Sequence, residues 1–268
     1  MQEADDVVVG EEQGAEARAD ESLYSTREHR FGSTSVLLRC IAKDDDYYGK
    51  KINLTGTSTW FAASAFCKWA CSDENVAALQ FGDKSILELG SGAGLAGIAL
   101  YKCLQRIGHP SSFLLTDGEE EVVDLVRRNI ALNSAADDPT IACQQLWWGP
   151  SAALDKLKHE HPTGFDVIIG CDLFYNQAQA DSGAVLGAFQ VVAQLLSRAA
   201  QGSCFLLAFT RRDLDVAVVL EAAARCGFVS AVEEECCCDI FGTWTQGQTE
   251  FWRDAVYRFT RLADTVSE

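Results

Sequence analysis

A carboxylate followed by closely spaced glycines forms the part of this chain whose residue types point most directly to chemistry. Glu88 precedes the run Gly90-Ser91-Gly92-Ala-Gly94, which lies between an apolar segment and a stretch with helical spacing. Glycine is needed where a tight turn uses backbone angles that a Cβ forbids, and where the main chain must approach a ligand closely. A glycine-rich turn between a strand and a helix therefore predicts a site for a nucleotide-type cofactor.

The glycines alone leave the type of cofactor open. Gly92-Ala-Gly94-Leu-Ala-Gly97 fits the dinucleotide pattern G-x-G-x-x-G, which places a pyrophosphate at a helix N-terminus. Glu88 favours another interpretation, because Glu-x-Gly-x-Gly-x-Gly resembles motif I of the enzymes that use S-adenosylmethionine (SAM). SAM carries an ammonium and a sulfonium group, and carboxylates suit these cations better than they suit phosphate.

Asp117 is a second candidate, at the end of the next apolar segment, Ser112-Phe-Leu-Leu-Thr-Asp117. A carboxylate accepts two hydrogen bonds at once, which matches the two hydroxyls of a ribose. This role fits both types of cofactor. The alternative is that Asp117 caps the helix predicted to begin near Glu119, since aspartate is a favoured N-cap residue.

Polar and aromatic residues also follow a third apolar segment. The run Phe165-Asp-Val-Ile-Ile-Gly-Cys171 has the composition of a buried parallel strand, and Asp172-Leu-Phe-Tyr175 follows it. Ligands of open α/β sheets bind at the carboxyl ends of the strands, so Asp172 and Tyr175 are expected to face the pocket of the glycine loop. The alternative is that Asp172 caps a helix and Tyr175 packs in the core.

Four separated motifs resemble methyltransferase family 16, the METTL21-like protein-lysine methyltransferases with seven β-strands. Trp60, in Thr-Gly-Thr-Ser-Thr-Trp, resembles the upstream tryptophan of that family, and Glu88 begins its glycine loop. Trp148-Gly resembles the Trp-Gly pair after the third strand. Asp172-Leu-Phe-Tyr175 fits the Asp-x-x-Tyr signature after the fourth. The order and spacing of the motifs are similar to the family over most of the chain.

The resemblance implies a Rossmann-like α/β fold, SAM as cofactor, and methyl transfer to a lysine side chain of a protein. Asp172 and Tyr175 are then the catalytic residues, where the carboxylate orients the amine and the ring borders the cationic product. The implied cofactor-binding residues are Trp60, Glu88, Gly90, Ser91, Gly92, Asp117, Trp148 and Cys171. Two departures from the family remove no needed group: Cys171 replaces the usual alanine, and Gly118 follows Asp117.

Three tryptophans near the predicted site receive different assignments. Trp148 follows the third strand of the sheet, where an indole can stack on adenine. Trp60 is expected to pack against the methionine end of SAM. Trp147 is assigned to the core, since tryptophans are highly buried on average.

Apolar segments that alternate with helical stretches predict the parallel sheet that must position these residues. The predicted strands cover residues 85–89, 112–116, 140–146, 165–171 and 203–209, and the last helix covers residues 214–226. Two closing strands, 229–235 and 255–261, are separated by a polar loop around Gly242-Thr-Trp244 rather than by a helix. They predict an antiparallel C-terminal hairpin, which resembles the methyltransferase ending.

The length of 268 residues and an apolar content of 48% fit one catalytic domain. We expect this domain to cover residues 26–268, with an N-terminal hairpin or extension over 26–60. Within that extension, Val36 to Ile41 is expected to pair with the segment Tyr47-Tyr-Gly-Lys-Lys51. Residues 1–25 are rich in acidic side chains and poor in large apolar ones, so we expect them to be disordered.

The net charge of −17 argues against nucleic-acid partners, because phosphate binding needs a basic surface. The resemblance implies a protein substrate, and substrates of the family include chaperones, elongation factors and calmodulin. No apolar run approaches the roughly 18 residues of a membrane span, and acidic residues stand where a signal peptide needs a basic start. We therefore expect an intracellular, cytoplasmic monomer without membrane contact, with the nucleus as an alternative location.

Eleven cysteines and four histidines do not have the spacing of a metal site. The chain contains no C-x-x-C, and its histidines lack helical ligand spacing, so we predict no metal and mostly reduced thiols.

Three other functions stay open at this point. A small-molecule N-methyltransferase has the same fold, and the fold does not fix the acceptor. A SAM-binding scaffold without turnover would bind cofactor but transfer nothing. An NAD oxidoreductase is the least favoured of the three.

Overall fold

The structure is a computed structural model, and it describes residues 24–41, 55–108, 111–211, 214–244 and 248–262. The strands in these ranges are β1 (Tyr24–Phe31), β2 (Thr34–Ile41), β3 (Ser85–Leu89), β4 (Ser112–Asp117), β5 (Ile141–Gln145), β6 (Val167–Cys171), β7 (Cys204–Arg211), β8 (Phe228–Trp244) and β9 (Gln248–Arg261). The helices are α1 (Phe61–Ala70), α2 (Asp73–Leu79), α3 (Leu95–Arg106), α4 (Glu120–Asn133), α5 (Ala152–Glu160), α6 (Gln177–Asp181), α7 (Ala184–Leu195) and α8 (Val216–Arg225). A short 3-10 turn over Thr55–Thr57 precedes α1.

Seven strands form one sheet in the order β5-β4-β3-β6-β7-β9-β8. The pairs from β5 to β7 are parallel, and β9 is antiparallel to both β7 and β8. The sequence-based fold prediction is therefore confirmed, including the antiparallel hairpin at the C-terminal end. The chain leaves β3 toward β4 on one side and later returns to β6 on the other, and open sheets bind ligands at such a switch point.

The central strands are buried on both faces, which explains why they read as continuous apolar runs. In β3, Ile86 belongs to the core cluster on the side of α1, α3 and α4, whereas Leu87 belongs to the cluster on the side of α5, α7 and α8. In β6, Ile169 and Ile168 are divided between the clusters in the same way. A strand covered by helices on both faces carries mostly apolar side chains, and Glu88 is the exception among the buried residues of β3.

The C-terminal hairpin is longer than the sequence predicted. The loop predicted around Gly242-Thr-Trp244 is wrong, because Gly242 pairs with Glu250 and Trp244 pairs with Gln248. The pairing of β8 with β9 contains two register shifts, between Val232 and Glu234 and between Cys236 and Ile240.

The N-terminal hairpin has a partner different from the predicted one. Val36 to Ile41 lies in β2, which pairs with β1 through a turn where Gly32 has a φ of +57°. The expected partner segment, residues 47–51, lies outside the described residues, as does the acidic segment 1–23.

Two asparagines of α4 attach this hairpin to the domain. The fully buried Asn129 accepts a hydrogen bond from the Arg39 N–H at 2.8 Å and donates to the Arg39 carbonyl at 2.9 Å. Asn133 makes the same pair of bonds with the main chain of Leu37, at 2.9 and 2.6 Å. The amide of Asn129 also donates to the Ala93 carbonyl at 2.8 Å, so it joins β2 to the glycine loop.

Among the residues that the structure describes, no helix combines the length and the apolar character needed to cross a membrane. None of their His, Cys, Asp and Glu side chains form a group of three that could hold a metal ion. Eight cysteines have described side chains, and these eight are free thiols.

Candidate active site

A cavity of about 430 Å³ opens at the carboxyl ends of β3, β4, β5 and β6. Its walls also include Thr55, Gly56 and Trp60, which precede α1. Eight of the ten predicted site residues line the cavity, and Glu88 and Ser91 do not. The topology thus brings residues from four separate segments to one place, because parallel strands present their carboxyl ends at one edge of the sheet.

The glycine loop forms a floor that only glycine can form. Gly90 and Gly92 have φ values of +57° and +54°, in the left-handed region that side chains disfavour. A Cβ on Gly90 would lie 2.6 Å from Leu173 Cδ2 and 3.1 Å from Trp148 Cζ2. A Cβ on Gly92 would lie 3.2 Å from the carbonyl oxygen of Gly56. The loop therefore leaves a cradle of exposed backbone beside the cavity.

Ser91 fastens this loop to the next strand. Its N–H donates to the Thr116 carbonyl at 2.8 Å, and its carbonyl accepts from the Gly94 N–H at 2.8 Å. Its hydroxyl is buried and has no hydrogen-bond partner among the described residues.

Asp117 lies beside the glycine cradle and binds its backbone. Its Oδ2 accepts a hydrogen bond from the Gly92 N–H at 3.0 Å, and its Oδ1 accepts from the Glu119 N–H at 3.3 Å. Burial raises the pKa of this carboxyl, and the N–H donors oppose that change. The N-cap of α4 is Glu119 rather than Asp117. A carboxylate has about four lone-pair sites, so Asp117 keeps acceptor capacity for a diol in the cavity.

Glu88 lies beneath the glycine loop instead of in the cavity wall. It is 2% exposed, and its Oε2 accepts a hydrogen bond from the Gly97 N–H in the first turn of α3 at 3.1 Å. Burial and the nearby Asp117 charge raise the pKa of Glu88 to about 8, although the Gly97 N–H opposes them. Its assignment as a direct cofactor ligand stays a prediction, and the observed contacts show that it supports the loop.

Glu88→Gln is expected to flatten the pH dependence of stability. Between the ordinary value of 4.5 and about 8, folded Glu88 keeps a proton that the unfolded chain has lost. The free energy of unfolding therefore falls as pH rises through this window. Thermal unfolding at about pH 5 and about pH 9 should show a smaller loss of Tm in the variant than in the wild type. Glu221→Gln, on the exposed side of α8, is the control and should keep the wild-type loss.

Asp172 and Tyr175 stand on the opposite side of the cradle, after β6. Asp172 is 8% exposed and has a φ of +57°, and its N–H donates to the Ala208 carbonyl at 2.8 Å. Aspartate is one of the few residues with a side chain that adopt this left-handed conformation readily. The next helix, α6, is capped by Asn176, so Asp172 is not its cap.

Tyr175 forms an aromatic wall together with Trp60. Their rings are parallel to within 8°, and the ring centroids are 6.4 Å apart. The indole is fixed, since Trp60 Nε1 donates to the Thr55 carbonyl at 3.0 Å. Both residues line the cavity next to Asp172. Aromatic faces of this kind attract cations.

The assignment of Trp147 to the core is wrong. Trp147 is 56% exposed and lines the cavity beside Trp148. Its ring lies over Gly118, where a Cβ would be 3.1 Å from two ring carbons. The sequence carried one signal for this arrangement, namely the glycine directly after Asp117, which leaves room for a flat ring.

Trp148 and Cys171 complete the wall of the cavity. The half-buried Trp148 meets the buried Phe174 edge to face, with ring centroids 6.0 Å apart. Burial raises the pKa of the Cys171 thiol, and the nearby Glu88 adds to this effect. Cys171 therefore presents a neutral thiol rather than a nucleophilic thiolate.

A family model described as lysine methyltransferase matches residues 48–233, which is more than half of the chain. The chain belongs to the lysine methyltransferase family. The matched residues include every predicted site residue, and β3 to α8 lie within them. The sequence-based resemblance is confirmed.

Curated relatives of this family member carry names that specify protein lysines. It is 34% identical to the human protein-lysine N-methyltransferase EEF2KMT over 45% of this chain and 36% of that protein. It is 29% identical to the protein-lysine N-methyltransferase EFM3 of Chaetomium thermophilum over 65% of this chain and 48% of that protein. A calmodulin-lysine N-methyltransferase of Arabidopsis thaliana is 32% identical over 38% of this chain and 31% of its own. The chain thus spans a third to a half of the length of these relatives.

One solved methyltransferase structure has a fold similar to that of this chain. SMU.776, assigned as a methyltransferase and solved in complex with SAH, superposes with a TM-score of 0.55. The alignment covers 87% of this chain and 56% of that chain at 9% sequence identity. This similarity concerns the fold alone.

Proposed function

We propose that this protein is a SAM-dependent N-methyltransferase that transfers methyl groups to a lysine side chain of a protein substrate. The proposal rests on one observation: four proposed functional groups meet in the same cavity. There the glycine cradle lies between Asp117 on one side and Asp172 and Tyr175 on the other. Membership of the lysine methyltransferase family and the names of the relatives support the choice of acceptor.

The residues of the cavity fit SAM as cofactor. Gly90 and Gly92 provide a cradle that a Cβ would fill, and Asp117 keeps acceptor capacity for ribose hydroxyls. In this proposal Trp148 stacks on adenine, and Trp60 packs against the methionine end. When bound, SAM would supply a methyl carbon on its sulfonium, which a neutral amine attacks in line while the carbon–sulfur bond breaks and the thioether S-adenosylhomocysteine (SAH) leaves.

The chain itself has to align the amine and exclude water. The nearly buried Asp172 carboxylate attracts the lysine nitrogen and orients it toward the cradle. The parallel rings of Trp60 and Tyr175 border the nitrogen with an aromatic wall, which favours a methylated cation and excludes water. An apolar wall also disfavours the ammonium form, so it helps the lysine to react as a neutral amine.

The substrate belongs to this proposal as well. The charge of −17 favours a protein with a basic surface around the target lysine over nucleic acid. The cytoplasmic location, the monomeric state and the single domain over 26–268 stay predictions from the sequence.

The test uses purified protein, methyl-labelled SAM and a cell lysate, with Asp172→Asn run in parallel. Label in a discrete protein band that the variant does not produce is the expected result, and hydrolysis of that band should yield methylated lysine. Label only in small molecules would favour a small-molecule acceptor. Binding of SAM without any transfer would favour the scaffold instead.

Trp147→Ala is expected to weaken SAH binding about 3- to 10-fold, because an aromatic contact contributes about 0.5–1.5 kcal/mol. The indole lines the cavity above Gly118, next to Asp117. Calorimetric titration with SAH measures the change, and Trp147→Phe should retain most of the affinity. Unchanged SAH affinity in Trp147→Ala would place this ring outside the cofactor contact.

A further inference from the structure

The loop from Asp172 to Asn176 carries both proposed catalytic residues but has no regular secondary structure. It joins β6 to the short helix α6. A loop of this kind holds a side chain in place only if its own backbone groups are satisfied by fixed partners. The partners of this backbone are therefore decisive for the geometry of the site.

One side chain, Gln179, binds the loop at two points. Its Oε1 accepts a hydrogen bond from the Tyr175 N–H at 2.7 Å, and its Nε2 donates to the Leu173 carbonyl at 3.0 Å. The two bonded groups flank Phe174, so the amide pairs with the main chain as a neighbouring strand would. A primary amide supplies a donor and an acceptor side by side, as these two main-chain groups require.

Gln179 is itself anchored against the same loop. Its N–H donates to Asn176 Oδ1 at 3.0 Å, in the capping interaction of α6. Below the loop, the side chains of Leu173 and Phe174 are buried in the core. The loop is therefore held by its core side chains from one side and by the Gln179 amide from another.

We propose that Gln179 is a positioning residue for methyl transfer, whose amide fixes the backbone of Leu173 and Tyr175 and thereby the placement of Asp172 and of the Tyr175 ring. This inference rests on the proposed function for its effect on rate. It goes beyond the Asp-x-x-Tyr motif, since Gln179 lies outside the motif and acts through main-chain contacts. Gln179 lines the same cavity as the cradle and Asp117, but among the described residues its side-chain hydrogen bonds go to the loop rather than to them.

The test compares Gln179→Ala and Gln179→Glu with Gln177→Ala. Gln177 lies on the same helix, is exposed, and donates to Asp181 rather than to the loop. Three quantities are measured for each protein: the Kd for SAH, the initial rate of labelling of the lysate protein at saturating methyl-labelled SAM, and hydrogen exchange of the Tyr175 amide at single-residue resolution. Thermal unfolding confirms that each variant is folded.

Gln179→Ala should expose the Tyr175 amide to exchange and lower the labelling rate on the order of 10- to 100-fold, the cost of a small misplacement of reacting groups. Its Kd for SAH should change by a much smaller factor than its labelling rate at saturating SAM. Gln179→Glu keeps the acceptor for the Tyr175 N–H but not the donor to the Leu173 carbonyl. Its labelling rate should therefore lie between those of the wild type and Gln179→Ala. Gln177→Ala should resemble the wild type in all three quantities.

Two results would overturn the inference. The first is unchanged exchange at Tyr175 in Gln179→Ala, which would show that the amide does not hold the loop. The second is increased exchange at Tyr175 without a specific loss of labelling rate. This means either that the labelling rate stays at the wild-type value or that it falls only in proportion to the loss of SAH affinity. If the wild-type protein labels no substrate, the proposed function fails, and the exchange measurement alone then decides whether Gln179 holds the loop.

Discussion

Replacing Asp172 by asparagine is expected to lower the rate of methyl transfer on the order of 10²- to 10³-fold, the usual cost of removing one preorganised electrostatic group from an active site. The protein should stay folded, and its affinity for SAH should change little. The reason is that the substitution removes the charge that orients the lysine nitrogen but keeps the size of the side chain.

The choice of asparagine follows from the backbone at this position. Asp172 has a φ of +57°, and asparagine tolerates the left-handed region about as well as aspartate does. An alanine there would add backbone strain to the loss of the carboxylate, and the two effects would be mixed. Asp172→Asn therefore isolates the carboxylate, with labelling rate, SAH titration and Tm as the three measurements.

The chain offers a matched control for this substitution. Asp137 also has a positive φ, +59°, but it is exposed in the turn between α4 and β5. Asp137→Asn makes the same chemical change under the same backbone constraint, away from the cavity, and should leave the labelling rate unchanged. Near wild-type labelling by Asp172→Asn would show that methyl transfer does not use this carboxylate.

Gly90→Ala should abolish most cofactor binding, with a loss of SAH affinity on the order of 10²-fold, and lower the free energy of unfolding by about 2–4 kcal/mol. Two causes act together. The φ of +57° is strained for alanine, and the new Cβ would lie 2.6 Å from Leu173 Cδ2 and 3.1 Å from Trp148 Cζ2. Relief of this clash must move the loop that carries Asp172 or the tryptophan wall of the cavity.

Gly202→Ala separates the strain from the clash. Gly202 has a φ of +77° in the turn before β7, and a Cβ there would meet no atom within 4 Å. The control should lose about 1–2 kcal/mol of stability from the backbone alone and keep its SAH affinity. Calorimetric titration and thermal unfolding of both variants provide the comparison. Wild-type SAH affinity in Gly90→Ala would mean that the glycine cradle is not the cofactor site.

The central sheet was predictable because its strands are buried on both faces. Continuous apolar runs leave few alternatives, and the predicted bounds of β3 agree with the observed Ser85–Leu89. The outer elements were harder. The paired residues around Gly242 mix aromatic side chains, such as Phe241 and Trp244, with polar ones, and no regular alternation distinguishes a long hairpin arm from a loop. The pairing of β1 with β2 was missed although a short turn at Gly32 joins the two strands. The bonds that attach β2 to α4 join residues 96 and 90 positions apart, which a local pattern does not contain.

The residues of the candidate site likewise fall into those that the sequence could place and those that it could not. Residues that follow strand ends, such as Asp117 and Asp172, could be placed at the cavity because topology alone brings them there. Trp147 and Gln179 could not, since the first depends on the space above Gly118 and the second on main-chain groups of an irregular loop. Glu88 was predicted as a ligand from its motif, yet its position under the loop follows from the path of α3.

The amide of Asn129 has a thermodynamic consequence that reaches beyond packing. It bonds both to Arg39 in β2 and to Ala93 in the glycine loop, so one side chain is shared by two structures. Coupling between two equilibria is reciprocal. If cofactor binding stabilises the docked hairpin through this contact, a ligand that stabilises the docked hairpin raises the affinity for the cofactor by the same free energy. The N-terminal hairpin lies before the matched family region, which begins at residue 48. Asn129 connects this hairpin to the glycine loop within that region.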